Sequence, residues 1–258
     1  MSREAPIFQV SIAETRTEIA AAQRLRYEVF VKELGADGPM IDHAAGLERD
    51  RFDDFATHIL LRDKHRSPDD QIVGAYRVMT PADAARAGQF YCADEYDLAP
   101  LTQGGLRLME LGRSCIHKDY RGGPGLMHLW SGIADLVAAQ KTDVLFGVAS
   151  FHGTDVHALA APLSLLHDRH LAPPPLRVGA RQPGHHAMNL VPPDDIDRLA
   201  VMRQIPALIK AYLRLGAVVG DGAFIDHAFN TTDICLILAT DAIGAMQRRI
   251  YARGRGLG

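Results

Sequence analysis

The stretch Leu108–Gly125, LMELGRSCIHKDYRGGPG, carries the densest chemistry in the chain. The two-residue period of a strand places Glu110 on the same face as Leu108. A charge on an apolar face is costly unless it is paired. Gly112 interrupts the strand, and a bulge there would return Arg113 to the face of Glu110. The pattern predicts a candidate general base at Glu110, although a structural ion pair between Glu110 and Arg113 is the alternative.

A short basic, glycine-rich turn, Arg121–Gly125, follows this strand and opens a helical segment. The backbone N–H groups and the dipole of such a helix start can hold a phosphate group. A strand, a basic glycine turn and a helix together indicate binding of a phosphopantetheine group.

The first third of the chain predicts one amphipathic helix, from about Glu18 to Leu34, with Thr15 and Glu18 as a capping box. Arg26 and Phe30 lie one turn apart on this helix, so both can line one pocket. The alternative is an exposed arginine above a core phenylalanine. An acidic run, Glu48–Asp54, then precedes a predicted strand; a solvated turn is the usual reason for such a run.

The turn RGGPG resembles the pyrophosphate loop of the acetyltransferase superfamily (GNAT), whose usual pattern is R-x-x-G-x-G/A. Pro124 stands where the central glycine is expected and removes one backbone donor, and Leu126 stands at the final small position. These departures disfavour tight binding of the coenzyme A diphosphate and favour a pantetheine carried by a protein.

Several segments in order and spacing resemble the acyl-homoserine lactone synthases: Arg26 with Phe30, Glu48–Asp53, Gly74–Arg77 and Glu110–Arg113. Longer strings resemble the bacterial ornithine lipid acyltransferases: FYCADEYDLAPL (Phe90–Leu101), ELGRSCIHKDYRGG, FGVASFHGTD (Phe146–Asp155) and YLRLGAVVGDGAFIDHAFNTTDICL (Tyr212–Leu236). The second resemblance spans nearly the whole chain. It implies transfer of a 3-hydroxyacyl group from acyl carrier protein to the α-amino group of L-ornithine, which yields lyso-ornithine lipid.

The resemblance also implies an α/β, GNAT-like fold, a mixed twisted sheet flanked by helices with splayed central parallel strands. We expect one elaborated domain over residues 1–258, with a core of about 5–170 and a C-terminal extension of about 176–258. Asp50 and Asp53 are expected to bind the amines of ornithine. One of the arginines Arg26, Arg77 and Arg113 is expected to bind its carboxylate or to position Glu110, and the sequence does not decide among them. The expected substrate-binding residues are Arg26, Phe30, Asp50, Asp53, Arg77 and Arg113. The residues expected at the acyl-pantetheine and carrier protein are Ser114, Cys115, Lys118, Arg121, Gly122 and Gly123.

Composition agrees with this reading. The chain has 258 residues, 47% of them hydrophobic, which suffices for a sizeable core. It has neither an apolar stretch of membrane-spanning length nor a signal-peptide pattern at the N-terminus, so we expect a cytoplasmic protein. Cys92, Cys115 and Cys235 are widely spaced and predict neither a metal site nor a disulfide. We expect no permanently bound cofactor, no metal and no nucleic-acid partner.

The net charge is only −3, so attraction to an acidic carrier protein requires a local patch. Lys118 and Arg121 provide one. A basic C-terminal helix with Arg248, Arg249, Arg253 and Arg255 is a candidate for peripheral contact with the inner membrane, or else a solvated helix end. The sequence leaves open other acceptors, such as S-adenosylmethionine or another amino acid, and a non-catalytic module that binds carrier protein or membrane.

Overall fold

The computed structural model describes residues 5–241 and residue 243. The predicted basic helix with its four arginines, Arg248 to Arg255, lies outside the described residues. The described chain divides into two compact units. The first comprises residues 5–87 and 111–141, and the second comprises residues 88–110, 142–241 and 243.

The sequence predicts alternating helices and strands, with strands at Thr57–Arg62, Gln71–Met79, Leu106–His117 and Asp143–Ser150. The structure has strands at these places, but the alternation is only partial, because several strands follow one another without a helix between residues 41 and 79 and between residues 218 and 239. The helices are α1 Arg16–Arg26, α2 Pro81–Ala87, α3 Ala99–Thr102, α4 Gly125–Gln140, α5 Ala160–His170, α6 Arg198–Gln204 and α7 Ala207–Arg214. The strands are β1 Phe8–Ile12, β2 Ile41–Asp42, β3 Leu47–Glu48, β4 Thr57–Asp63, β5 Ile72–Met79, β6 Tyr96–Asp97, β7 Leu108–Ile116, β8 Val144–His152, β9 Gly179–Ala180, β10 His185–His186, β11 Val218–Val219, β12 Ala223–Asp226 and β13 Thr231–Ala239.

In the first unit, the strands are ordered β1, β4, β5 and the C-terminal part of β7. Strand residues alternate between the two faces of a sheet. One face carries Leu60, Ala75 and Cys115, which pack in one core cluster with Leu25 of α1. The opposite face receives α4. This arrangement places α1 and α4 on opposite sides of the sheet.

Helix α4 approaches the sheet closely because glycines lie at the contact. A Cβ atom on Gly132 would lie 2.8 Å from Cγ1 of Val10 on β1. A Cβ atom on Gly74 of β5 would lie 3.0 Å from Cδ1 of Leu129. Both distances are shorter than ordinary van der Waals contact, so the missing side chains permit this packing.

The capping box at the start of α1 is confirmed. The Thr15 hydroxyl accepts from the Glu18 N–H at 3.2 Å, and the Glu18 carboxylate accepts from the Thr15 N–H at 3.1 Å. The predicted single helix differs in its second half, because residues Tyr27–Glu33 form a π-helix. Such segments often occur at functional sites. Residue Arg26 lies at the junction of the two helical forms.

In the second unit, the strands are ordered from the N-terminal part of β7 through β8, β13 and β12 to β10. Strands β7 and β8 are parallel, with three residue pairs from Leu108↔Val144 to Glu110↔Phe146. Strand β13 runs antiparallel to β8 over nine pairs. The expected parallel neighbours are therefore confirmed, and their register ends at Glu110.

Helix α5 was absent from the predicted elements. Residues 162–166 of this helix are all buried, so the segment lacks the apolar–polar alternation that marks an amphipathic helix. No helix among the described residues combines the length and the hydropathy required to cross a bilayer.

Candidate active site

A buried network of ion pairs occupies the first unit, and its first member is Arg26 at the end of α1. The guanidinium donates to both carboxylate oxygens of Asp53, at 2.8 and 3.0 Å, and its Nε donates to Glu48. The Gln23 amide donates to Asp53 at 2.8 Å, one helical turn before Arg26. Helix α1 therefore fixes the acidic run through two side chains on one face.

Arg77 and Arg113 complete the network from β5 and β7. Arg77 Nη1 donates to Asp50 at 2.5 Å and to Asp53 at 2.9 Å. Arg113 donates to Glu48 at 3.1 Å and to Asp50 at 2.9 Å. Three arginines thus meet three carboxylates, which balances the charge of the network.

Burial makes these pairs electrostatically strong. Burial by itself raises the pKa of Asp53, but Arg26 and Arg77 outweigh it and hold the pKa well below its ordinary value. Asp50 behaves alike: Arg77 and Arg113 outweigh burial and lower its pKa. The Asp53 side chain is 3% exposed, whereas Asp50 is 12% exposed. Asp50 and Arg113 accordingly form the outer edge of the network.

We expect the free energy of unfolding to fall as pH is lowered from 7 to 3. Burial lowers the pKa of His58, so the unfolded state takes up this proton first, and stability is lost below about pH 6.5. The lowered pKa values of Asp50 and Asp53 add stability that is present above about pH 4 and lost below it.

Urea unfolding at fixed pH values measures both losses. His58→Gln should flatten the curve between pH 7 and 5 and leave the loss below pH 4 unchanged. A wild-type free energy that stays constant from pH 7 to 3 would contradict the expectation.

Glu110 lies in the second unit, at the last residue pair of the parallel β7–β8 register, and is 3% exposed. Its carboxylate accepts the backbone N–H groups of Tyr91 at 2.9 Å and Cys92 at 2.6 Å. These two donors stabilise the ionised form, which is the form that accepts a proton. Gly112 follows, and then Arg113 adopts a φ of +51°, which breaks regular strand geometry where the sequence predicts a bulge.

The cysteines are buried thiols. Burial raises the pKa of Cys115 to about 12, and Cys115 packs in the core cluster of the first unit. Burial together with the Glu110 carboxylate raises the pKa of Cys92 and of Cys235. A thiol with a raised pKa is a poor nucleophile, so none of the three is suited to form an acyl-enzyme at neutral pH.

The basic turn before α4 is exposed from Arg121 to Pro124, and Lys118 is exposed in the 3₁₀-helix Lys118–Tyr120 that precedes it. Arg121 donates to the Ile116 carbonyl at 2.9 Å and to the Glu33 carboxylate at 2.8 Å. Gly122 has a φ of +74°, a backbone conformation that residues with a side chain rarely adopt. The turn is thereby held against the end of β7 and against the π-helix.

The network unites Arg26, Asp50, Asp53, Arg77 and Arg113, five of the six predicted substrate-binding residues, within the first unit. Phe30 packs instead against the hydrophobic cluster around Leu25. Gln23, Glu48 and His58 were not among the predicted site residues. Glu48 belongs to the quoted acidic motif, and Gln23 lies one turn before Arg26, so helical spacing could have identified Gln23.

The chain is similar to proteins of known family. Residues 25–131 match the acetyltransferase (GNAT) domain family. The L-ornithine N(alpha)-acyltransferase of Rhodobacter capsulatus is 50% identical over 254 residues, which cover 96% of this chain and 97% of the relative. The protein of that name from Brucella abortus is 41% identical over 94% of this chain and 88% of the relative.

Solved structures share the fold at low identity. FeeM, an N-acyl amino acid synthase from uncultured soil microbes, has a TM-score of 0.54 and 13% identity, with 95% of this chain and 99% of FeeM covered. The CoA-dependent acyl-homoserine lactone synthase BjaI has a TM-score of 0.53 and 14% identity, with 96% and 89% covered. The predicted GNAT-like fold is confirmed. With half of its residues identical to the Rhodobacter relative over nearly the full length of both, this chain belongs to the L-ornithine N(alpha)-acyltransferase family and is an amino-acid N-acyltransferase of the GNAT superfamily.

Proposed function

We propose that this enzyme transfers a 3-hydroxyacyl group from acyl carrier protein to the α-amino group of L-ornithine and so forms lyso-ornithine lipid. The observation that carries this proposal is the buried Glu110 carboxylate at the end of the parallel β7–β8 register, in a family whose named members are L-ornithine N(alpha)-acyltransferases.

Glu110 is the proposed general base, acting directly or through a water molecule. An amine attacks a thioester only when neutral, yet its pKa lies near ~8 to 10, so a proton must leave. Attack forms the C–N bond and a tetrahedral oxyanion, whose collapse expels the pantetheine thiolate. Backbone N–H groups near Arg113 to Cys115 are the proposed oxyanion donors. The raised pKa values of the cysteines favour direct transfer without an acyl-enzyme.

The ion-pair network is the proposed holder of the acceptor. Asp53 is 3% exposed and already accepts from Arg26, Arg77 and Gln23, which favours a positioning role for it. The more exposed Asp50 and Arg113 at the outer edge are the residues proposed to contact ornithine directly. Arg26 and Arg77 hold that edge in place, and Phe30 supports the π-helix from the core.

The donor is proposed to enter at the basic turn. Ser114 and Cys115 would contribute backbone groups along the pantetheine, while Gly122 and Gly123 would leave room for its phosphate. Pro124 lacks an N–H, which weakens a diphosphate cradle and favours a carrier-bound pantetheine over coenzyme A. Peripheral contact of the C-terminal arginines with the inner membrane is a further part of this proposal.

The test is direct. Purified enzyme is incubated with 3-hydroxyacyl carrier protein or the matching acyl-coenzyme A, together with a panel of amino acids, and products are identified by mass spectrometry. We expect Nα-acylated ornithine, formed faster from the carrier protein. Preference for another amine, or for the coenzyme A donor, would contradict the corresponding half of the proposal.

Charge reversal at the basic turn should raise the KM for acyl carrier protein. Lys118→Glu with Arg121→Glu replaces two positive charges with two negative ones, and we expect a rise of roughly tenfold or more at low salt that shrinks as ionic strength rises. The ornithine KM should stay constant. The exposed Arg24 and Lys64 provide a control, because Arg24→Glu with Lys64→Glu makes the same change in total charge. Equal effects from both double variants would refute a local docking patch.

A further inference from the structure

A second set of acidic side chains lies in the second unit, on segments that have no part in the ion-pair network. Glu95 follows the 3₁₀-helix Tyr91–Asp94, Asp226 ends β12, and Asp233 lies on β13. One carboxylate oxygen of each lies within 4.8 Å of the others. Glu95 is 4% exposed and Asp233 is 3% exposed, while Asp226 is half-buried. Together these three residues form a carboxylate cluster.

A buried hydroxyl group accompanies this carboxylate cluster. Thr231 lies directly opposite Asp226 in the β12–β13 register and two residues before Asp233 on β13. Directly opposed residues, and residues two apart on one strand, share a face of the sheet, so the Thr231 side chain lies on the face of both aspartates. Thr231 is 8% exposed, and its Oγ1 has no hydrogen-bond partner within residues 5–241 and 243. A buried hydroxyl in that condition indicates a polar ligand.

The same face continues to the protein surface. On β8, Ser150 is opposite Asp233, and His152 is opposite Thr231. Both β8 residues are exposed. The face of the sheet that carries Thr231 and Asp233 is therefore exposed at β8, and Asp226 on the other side is half-buried.

The carboxylate cluster also lies near the proposed base. After burial, the largest causes that raise the pKa of the Cys235 thiol are the carboxylates of Glu110 and Glu95. Glu110 and Glu95 likewise raise the pKa of Cys92. Strand register agrees: Glu110 is paired with Phe146 on β8, and Phe146 is paired with Ile237 on β13, so Glu110 lies on the same face of the sheet as Asp233. The cluster and Glu110 thus share one neighbourhood of the second unit.

An ammonium group fits this set of oxygen atoms. It presents three N–H donors and no acceptor, and the carboxylate oxygens and the Thr231 hydroxyl oxygen can each accept one of them. Ornithine carries a second, side-chain amine besides the α-amine that is acylated.

We propose that Glu95, Asp226 and Asp233, together with the Thr231 hydroxyl, bind the side-chain ammonium group of the acceptor and so determine its selection. This inference rests on the proposed function, because it presumes a diamino acid as the acceptor. The carboxylate cluster holds the side-chain amine charged, which keeps it from attacking the thioester and leaves the α-amine to react.

The test uses Asp226→Asn and two acceptors. Asp226 Oδ1 accepts the N–H groups of Ala228 and Phe229, at 2.8 and 3.1 Å, and an asparagine oxygen can do the same, so the turn survives. The acceptors are ornithine and norvaline, which has the same carbon skeleton without the side-chain amine. The control is Asp197→Asn: exposed Asp197 caps α6 by accepting the N–H groups of Leu199 and Ala200, and the same charge is lost.

We expect the wild-type enzyme to favour ornithine over norvaline by roughly 100-fold or more in kcat/KM. In Asp226→Asn, kcat/KM for ornithine should fall roughly 10- to 100-fold, while the value for norvaline stays within about twofold. Asp197→Asn should keep the wild-type ratio. Thr231→Val should reduce the ratio in the same direction, by roughly two- to tenfold.

An unchanged ornithine-to-norvaline ratio in Asp226→Asn, while the wild type acylates ornithine, overturns this inference alone. If the wild type acylates no diamino acid with either donor, the proposed function fails and the inference with it. A divalent cation is the competing ligand, because carboxylate oxygens also suit Mg²⁺ and Ca²⁺. Loss of wild-type activity in EDTA, restored by Mg²⁺ or Ca²⁺, with a Tm rise that Asp226→Asn abolishes, would assign the carboxylate cluster to a metal and overturn the amine assignment.

Discussion

Replacing Glu110 with glutamine is expected to slow acyl transfer by roughly 100- to 10,000-fold at neutral pH. A carboxamide cannot take the proton that the ornithine amine must lose. The substitution keeps the size of the side chain, and the amide oxygen can still accept an N–H group of Tyr91 or Cys92, which hold the carboxylate at 2.9 and 2.6 Å. The loss should therefore appear in turnover more than in folding.

Steady-state kinetics and thermal unfolding of Glu110→Gln separate these effects. Raising the pH toward the pKa of the ornithine amine should restore part of the lost rate in the variant, because a larger fraction of the amine is then neutral without help from a base on the enzyme. A residue with a purely structural role would not produce this pH-dependent recovery. Wild-type turnover at neutral pH in a well-folded Glu110→Gln would remove Glu110 from the role of base.

Replacing Arg26 with methionine is expected to lower the free energy of unfolding by about 3 to 5 kcal/mol. Methionine has a similar length but leaves Glu48 and Asp53, which are 0% and 3% exposed, without their shared cation. Buried carboxylates that lose a partner are strongly destabilising. At roughly 2 to 4 °C per kcal/mol for a chain of this size class, Tm should fall by roughly 6 to 20 °C.

Arg24 provides the matched control, because it lies on the same helix and is exposed. Arg24→Met should change the free energy of unfolding by less than about 0.5 kcal/mol. Chemical denaturation of both variants at pH 7 measures the difference. Similar stabilities for Arg26→Met and the wild type would mean that the network contributes little to folding.

Local patterns predicted much of the fold. Strand alternation and turn residues identified β4, β5, β7 and β8 to within a few residues, and the capping box identified the start of α1. These features depend on neighbours a few residues apart, so the sequence contains them directly. Helix α5 was not predicted because every residue from 162 to 166 is buried. A helix without a polar face lacks the 3.6-residue alternation of apolar and polar side chains by which a helix is recognised in a sequence.

In the candidate site, too, individual residues were predicted from the sequence but their contacts were not. Glu110, Asp50, Asp53, Arg77 and Arg113 were identified as candidates from short motifs and from a family resemblance. Which of these residues pair with one another was not predicted. The pairs join distant parts of the sequence: Arg113 contacts Glu48 across 65 positions, and Arg26 contacts Asp53 across 27. Which carboxylate is enclosed by arginines and which stays accessible depends on that packing.

The carboxylate cluster depends entirely on tertiary structure. Glu95 is separated from Asp226 and Asp233 by more than half the length of the chain, and each by itself resembles any acidic residue near a turn or a strand. By itself, the sequence determined the longer strands, the start of α1 and the chemical types of side chain available. Only the tertiary structure decided which charges meet, because strand register and burial set the distance and the dielectric environment on which their interaction depends.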